Sequence, residues 1–453
     1  MDFDRAFDRV KRSTLLKKFG AGSLFVICLA NLYTMSINTI YSNGASVSYM
    51  LYSGIKQGLP LSPYLFLFYI DDVFRYFDDT FVNDADDVYD RIHILIHADD
   101  ANLFATARDL MIKKLKAMLL YCQKNCIILQ PSKCFFTVIN GLVSDKASLE
   151  LSPEDSITYA EYLEILGSHI SGCIKTDLAL HFKKRFKNII KFFNYIRENI
   201  IAPASVKLKV LKACVMSTLL YNCEAFGPHI PESLEEMYHK MLKAALGVRD
   251  NCPNLVVLIE SGCLPLRCLI EARQSKFFRR FKDSLQDDSA RKAMFDQLME
   301  KKSAFLQHYI DLDAKYTDTR QLITEHYNKM AQKMRNLAAN KDKHYKFWVY
   351  LEMNQELKPS PFLNRLDQVG KAITKFREGS HLLKLETGRW NRTKREQRIC
   401  ASCNEVGDEF HAIYCCSEVC REDLNLPRTI SDIWEHEGVN TLFQRLRNAE
   451  MVN

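Results

Sequence analysis

The sequence lacks the marks of several protein classes. No stretch supplies the ~20 predominantly apolar residues of a membrane span. One uncharged run, Gly20 to Asn38, is broken by Gly22, Ser23, Asn31, Thr34 and Ser36, and reads as a buried helix of a folded domain. The start, Met-Asp-Phe-Asp-Arg, has no secretory leader pattern. There is no internal repeat and no low-complexity tract, and neither sign of charge dominates. The 62 Lys and Arg against 55 Asp and Glu give a net charge of +7, compatible with nucleic acid but too small to establish it. The 15 cysteines are odd in number and scattered except near the C-terminus. That pattern favours reduced thiols over a disulfide framework, hence a nuclear or cytoplasmic protein that is not secreted. What remains is a chain of 453 residues, 47% hydrophobic and 26% charged, which suits a soluble globular protein of two to four domains.

The most informative stretch is Arg91 to Ala105. Apolar and polar residues alternate, Asp99 and Asp100 stand together, and an apolar segment follows. This predicts strand, tight turn and strand, with two carboxylates at the tip. Carboxylates held there can bind a divalent metal and leave an open side for phosphate. The pairs Asp71-Asp72, Asp78-Asp79 and Asp86-Asp87 lie in a polar run and read as solvated turns. Upstream, a helix follows residue 10, and Ser42-Asn43-Gly44 predicts a hairpin turn. In Gly54 to Phe66, Gly58 permits close backbone approach to a ligand. Ser62 reads as the N-cap of a helix over Tyr64 to Phe77, with Pro63 in its first turn. A helix over Arg108 to Asn125 precedes strands at Ile127 to Leu129 and Cys134 to Ile139. Between those strands lies the turn Gln130-Pro131-Ser132-Lys133. Another hairpin or strand pair is expected around Gly167.

From about residue 177 the pattern is helix after helix. His181 to Ile200 and Ser205 to Tyr221 carry basic faces, including Lys183, Lys184, Lys187, Lys191, Lys207, Lys209 and Lys212. Two such faces in succession suit phosphate-backbone contact. Near the C-terminus, Cys400, Cys403, His411 and then Cys415-Cys416 supply the ligands of a tetrahedral zinc site. Cys416 gives a His-x4-Cys spacing, and Cys415 is the alternative fourth ligand. The basic run Arg389 to Arg398 just upstream contains Trp390 and suits nucleic acid.

Together these segments resemble the reverse transcriptases of non-LTR (LINE-like) retrotransposons. Asp2-Phe3-Asp4-Arg5-Ala6-Phe7-Asp8 resembles their motif A, Gln57-Gly58-Leu59-Pro60-Leu61-Ser62-Pro63 motif B, and Ala98-Asp99-Asp100 motif C. Gln130 to Cys134 is similar to motif D, and Tyr162 to Gly167 to the primer grip. Lys212 to Tyr221, Glu224, Glu386 to Arg389 and the Cys/His cluster extend the resemblance over nearly the whole chain. It implies an α+β fold: a ferredoxin-like polymerase palm, then an all-α thumb and a helical C-terminal region with a small zinc module. The expected domains are a palm over 1–175, a thumb over 176–250, a helical region over 251–395, a zinc module over 396–425 and a tail over 426–453. The implied activity is RNA-directed DNA polymerisation by two-metal nucleotidyl transfer onto a DNA primer. Its partners are an RNA template, a DNA primer or target, and dNTPs, without membrane. Its cofactors are Mg²⁺ (or Mn²⁺) and Zn²⁺. Asp2, Asp99 and Asp100 would hold the catalytic metal, and Lys133 would act as general acid. Phe3, Phe7, Gln57 and Gly58 would bind the nucleotide, with Phe7 under the sugar excluding a 2′-hydroxyl. The sequence departs from the family in starting at motif A without fingers, in His97 before Ala98, and in Gln130. These departures favour the alternative of a truncated, inactive nucleic-acid-binding remnant, in which primer extension is weak or nil.

Overall fold

Apolar residues recur at helical spacing through most of the chain, and a helical molecule results. The computed structural model describes residues 1, 3–20, 23–34, 37–82, 90–152, 155–198, 201–285, 289–419 and 421–452. The chain divides into two units, Met1–Asp177 with Ser284–Lys301, and Leu178–Asp283 with Lys302–Asn453.

In the first unit, the helices Arg12–Lys18, Ser62–Ile70, Asp72–Thr80 and Arg108–Lys124 surround small sheets. Their core holds Leu15, Leu65, Phe66, Val73, Phe77 and Met118 against Phe3, Ile94, Ala101 and Leu129. The hairpin Ile37–Ser42 with Ala45–Met50 turns through Asn43 and Gly44, both at positive φ, as its Asn-Gly pair predicts. The hairpin Leu163–Ile165 with Ser168–Ile170 turns through Leu166 and Gly167 in the same way. Strand Phe135–Phe136 pairs parallel with Ser156–Tyr159, which also pairs antiparallel with Leu149–Glu150.

Five expectations need correction. Ser62 lies inside its helix rather than capping it, because its hydroxyl donates to the Lys56 carbonyl. The helix that follows is divided at Asp71, and Asp72, Asp78 and Asp79 lie in the segment Asp72–Thr80. Val73 and Phe77 bury one face of that segment, so its acids line the outer face of a helix and not a solvated turn. Asp72 takes the Lys18 ammonium at 2.7 Å and the Tyr121 hydroxyl at 2.5 Å. Asp86-Asp87 lies outside the described residues. The helix Leu24–Thr34 buries Leu29 and Tyr33 but exposes Leu24, Phe25, Ile27 and Leu32, so it is not a buried helix. Of the stretch Ile127 to Leu129, only Leu129 makes a bridge, to Phe3.

The second unit is helical. Glu232–Leu246 stops at Gly247 and Asn254–Ser261 at Gly262, both in the left-handed conformation that ends helices. Thr319–Ala338 starts on Asp318, whose carboxylate accepts from the Gln321 N–H at 2.7 Å. Buried Glu260 takes two bonds from the Arg377 guanidinium, at 2.6 and 3.1 Å, and one from the Tyr350 hydroxyl at 2.9 Å. The basic helices form as Ile174–Glu198 and Ala204–Val210, the latter continued by a wider-wound turn Leu211–Met216. Lys183, Lys184, Lys187, Lys191, Lys209 and Lys212 are exposed, but Lys207 is buried and leaves that basic face.

Candidate active site and metal centre

The acidic hairpin forms as the alternation predicts. Ile94–His97 and Asp100–Leu103 pair antiparallel, and His97 faces Asp100 across a two-residue loop of Ala98 and Asp99. Ala98 sits at φ 54, a left-handed conformation that a residue with a Cβ adopts at a cost. Asp99 and Asp100 are exposed, and among the described residues no side chain neutralises either.

The base of the hairpin is clamped by residues that sequence reasoning missed. The Phe104 N–H donates to the His93 carbonyl at 3.1 Å. The fully buried Lys114 ammonium donates to the carbonyls of Asp90 at 3.1 Å and Phe104 at 2.7 Å. The Asp90 carboxylate accepts from the Thr106 N–H at 2.9 Å and its hydroxyl at 2.5 Å. Burial pulls the Lys114 pKa down. The signal was present: Lys114 falls in the four-residue series Leu110, Met118, Cys122 that forms the buried face of its helix.

Residues 1–10 are built onto this hairpin. The Met1 amino group donates to the Ala101 carbonyl at 2.8 Å, and the Ala101 N–H returns to the Met1 carbonyl at 3.4 Å. Phe3 bridges Leu129, and the Asp4 N–H donates to Ile128 at 2.8 Å. Asp2 lies outside the described residues. Its neighbours are thus hydrogen-bonded to the acidic hairpin on one side and to the segment before Lys133 on the other.

The turn Ala6–Arg9 then ties to the loop before Gln57. The Ile55 N–H donates to Phe7 and the Gly54 N–H to Val10, both at 2.9 Å. Gly54 has φ 81, and a Cβ there would lie 2.8 Å from the Asp8 carbonyl oxygen, so the close approach requires glycine. Gln57 Nε2 donates to Asp8 Oδ1 at 3.3 Å. Phe7 is half-buried and stacks on Phe66 with centroids 5.1 Å apart, while Phe3 is buried in the core. Gly58, at φ 91, faces open space. Lys133 ends the turn Pro131–Lys133 and is exposed. A hydrogen bond from Arg9 at 2.6 Å holds Asp4 below the usual carboxylate range, with Arg5 and Lys133 adding to it.

This stretch has a counterpart among known proteins. Residues 1–170 match the model of the family described as reverse transcriptase (RNA-dependent DNA polymerase). The reverse transcriptase match covers the acidic hairpin, Gln57-Gly58, Lys133 and the hairpin around Gly167, and ends before the helix Ile174–Glu198. No curated protein matches the chain.

The second cluster lies in the other unit. One ligand atom each from Cys400, Cys403, His411 and Cys416 falls within 4.8 Å of the others. Cys415 is exposed and outside the group. The Cys400 Sγ lies 3.7 Å and the Cys403 Sγ 4.0 Å from that of Cys416. Zn–S bonds of ~2.3 Å in a tetrahedron set sulfurs ~3.8 Å apart, so the donor set fits zinc. A short bridge of Ile399 with Val406 and a bond from the Cys400 N–H to Glu405 at 2.7 Å shape the knuckle. His411 Nδ1 meets Glu405 Oε2 at 3.2 Å, while its Nε2 is buried without a hydrogen-bond partner. An imidazole held by a carboxylate at one nitrogen, with the other buried and without a hydrogen-bond partner, has the arrangement of a metal-ligating histidine. Hydrogen bonds from Ser417 hold the Cys403 thiol below its ordinary pKa, and burial pushes Cys416 up to about 12.

Proposed function

We propose that the chain is the RNA-directed DNA polymerase of a non-LTR retrotransposon, adding dNTPs to a DNA primer on an RNA template. One observation carries this reading: the Met1 amino group is hydrogen-bonded to Ala101 of the Asp99-Asp100 hairpin, and the Asp4 N–H beside the Phe3–Leu129 bridge to Ile128, five residues before Lys133. That pairing ties the segment resembling motif A to the hairpin resembling motif C and to the residue before the stretch resembling motif D, with Gln57 reaching Asp8 from motif B.

In this reading Asp99 and Asp100, with Asp2, would hold magnesium. Bound there, the metal supplies charge neutralisation for the triphosphate and activation of the primer hydroxyl. Phe7, backed by Phe66, presents a flat apolar edge under the incoming sugar, where a 2′-hydroxyl would lose its water without gaining a partner. Gln57 and Gly58 border the nucleotide and template base, and Lys133 is the acid that protonates pyrophosphate. The cluster Cys400, Cys403, His411 and Cys416 would hold zinc as a structural centre beside the basic run 389–398. The exposed basic faces of Ile174–Glu198 and Ala204–Val210 would track the primer–template backbone as a thumb.

Primer extension on poly(rA)/oligo(dT) with Mg²⁺ tests the reading. Extension that disappears in Asp99→Ala is the expected outcome. Absence of extension from a folded, RNA-binding wild-type chain would favour the inactive remnant instead.

A further inference from the structure

The helix Thr319–Ala338 carries a surface that the polymerase reading leaves unused. Leu322, Met330, Met334 and Ala338 are its buried residues. On its exposed side Gln332 and Asn336 are four residues apart, and Asn340 continues the interval just past the helix. Gln332 Nε2 donates to Asn336 Oδ1 at 2.8 Å, and Asn340 Oδ1 accepts from the Lys343 N–H at 3.0 Å. With Lys329, Lys333 and Lys343 these amides line a cleft of about 510 Å³. No carboxylate is among the described residues that line it. Glu325, one turn before Lys329, pairs with that lysine at 2.5 Å and with Lys315 at 3.6 Å. Just beyond Asn340 the Lys341 ammonium lies 3.6 Å over the ring of Trp348. Trp348 in turn packs 5.4 Å from Phe410, the neighbour of His411.

Three cations, one of them shared with Glu325, a line of groups that both donate and accept, and the His344 ring that also lines the cleft are the parts of a single-strand groove. Its volume falls in the ~300–1,000 Å³ range of small-molecule sites, large enough for a nucleotide. We propose that this cleft binds single-stranded nucleic acid. Lys329, Lys333 and Lys343 engage phosphates, Gln332, Asn336 and Asn340 face sugars and base edges, and a base stacks on the His344 ring. The proposal rests on the reading of the chain as a nucleic-acid enzyme, but it concerns a surface outside the segment matched to reverse transcriptases.

The test uses the full chain and fluorescein-labelled oligo(U) RNA, with anisotropy measured across a salt series. Lys329→Gln/Lys333→Gln/Lys343→Gln should weaken binding roughly tenfold, and should flatten the log–log salt slope by about 2, since each single-strand phosphate contact contributes ~0.7. In the wild type, RNA should shield these three lysines from acetylation read by mass spectrometry. Wild-type affinity and slope in the triple variant would overturn the proposal. So would equal acetylation with and without RNA, or a duplex that takes the cleft in preference to the single strand. The two readings fail separately: Asp99→Ala should bind oligo(U) normally, and a triple variant that binds normally leaves the extension assay untouched.

Discussion

At the scale of single residues, the Cys/His cluster shows how one carboxylate can choose between the nitrogens of a histidine. Glu405 holds His411 Nδ1, so only the buried Nε2 is left for metal. We expect about one zinc per chain by elemental analysis, lost in Cys400→Ser. Glu405→Ala should keep the metal at high concentration but weaken zinc binding about tenfold in a chelator competition, the lower end of what outer partners of metal ligands contribute. The sequence made the four ligands visible because their spacing is local. It could not make Glu405 visible, since an acid six residues before a histidine has no signature of its own. Glu378 is a second such case: both its oxygens are buried without partners, and burial pushes its carboxyl well above 4.5. A raised folded pKa means that the folded form binds the proton more tightly, so stability is present below 4.5 and declines as pH rises above it. Glu378→Gln removes that titration. It should raise the melting temperature at pH 7, with the gain disappearing below about pH 4.5.

At the scale of elements, helices were legible and strands less so. Arg108–Lys124 ends one residue from its expected end, because Leu110, Leu115, Met118 and Cys122 commit one face to the core over many turns. The expected strand Cys134 to Ile139 shrinks to Phe135–Phe136, since pairing depends on a distant partner, Ser156–Tyr159, that local alternation does not reveal. The helix Leu24–Thr34 failed for the converse reason: an apolar run states a preference for burial but not that a surface exists to bury against. The acidic hairpin was legible in its strands and turn, while the clamp at its base was marked only by the place of Lys114 in the series Leu110, Met118, Cys122. Lys114 looks like one more lysine of a basic helix until its ammonium is found between two carbonyls. Lys114→Met keeps the stem but leaves those buried carbonyls unpaired, so it should destabilise the first unit by about 3 kcal/mol in urea unfolding. Under the proposed function it should also reduce primer extension more than RNA binding.

At the scale of the whole molecule, the two units can be followed independently. Trp348, Trp390 and Trp434 are the 3 tryptophans, and all lie in the second unit. Heating should therefore give two calorimetric transitions, only one of them seen by tryptophan fluorescence. A zinc chelator should lower the fluorescent transition and leave the other in place. Departure of both together would mean that the chain unfolds as a single cooperative body. The pairing of Met1 with Ala101 has a further consequence, for the time course of folding. The contact spans 100 positions, and that of Phe3 with Leu129 spans more. Such distant closures are slow, because the intervening chain must be brought together before any bond rewards it. During synthesis at ~5–20 residues per second, residues 1–4 wait several seconds for their partners to emerge. Residues 1–4, which pair beside the acidic hairpin, are thus placed well after they are synthesised, and in that interval a holdase or a slow stretch of translation would most affect the yield of native protein.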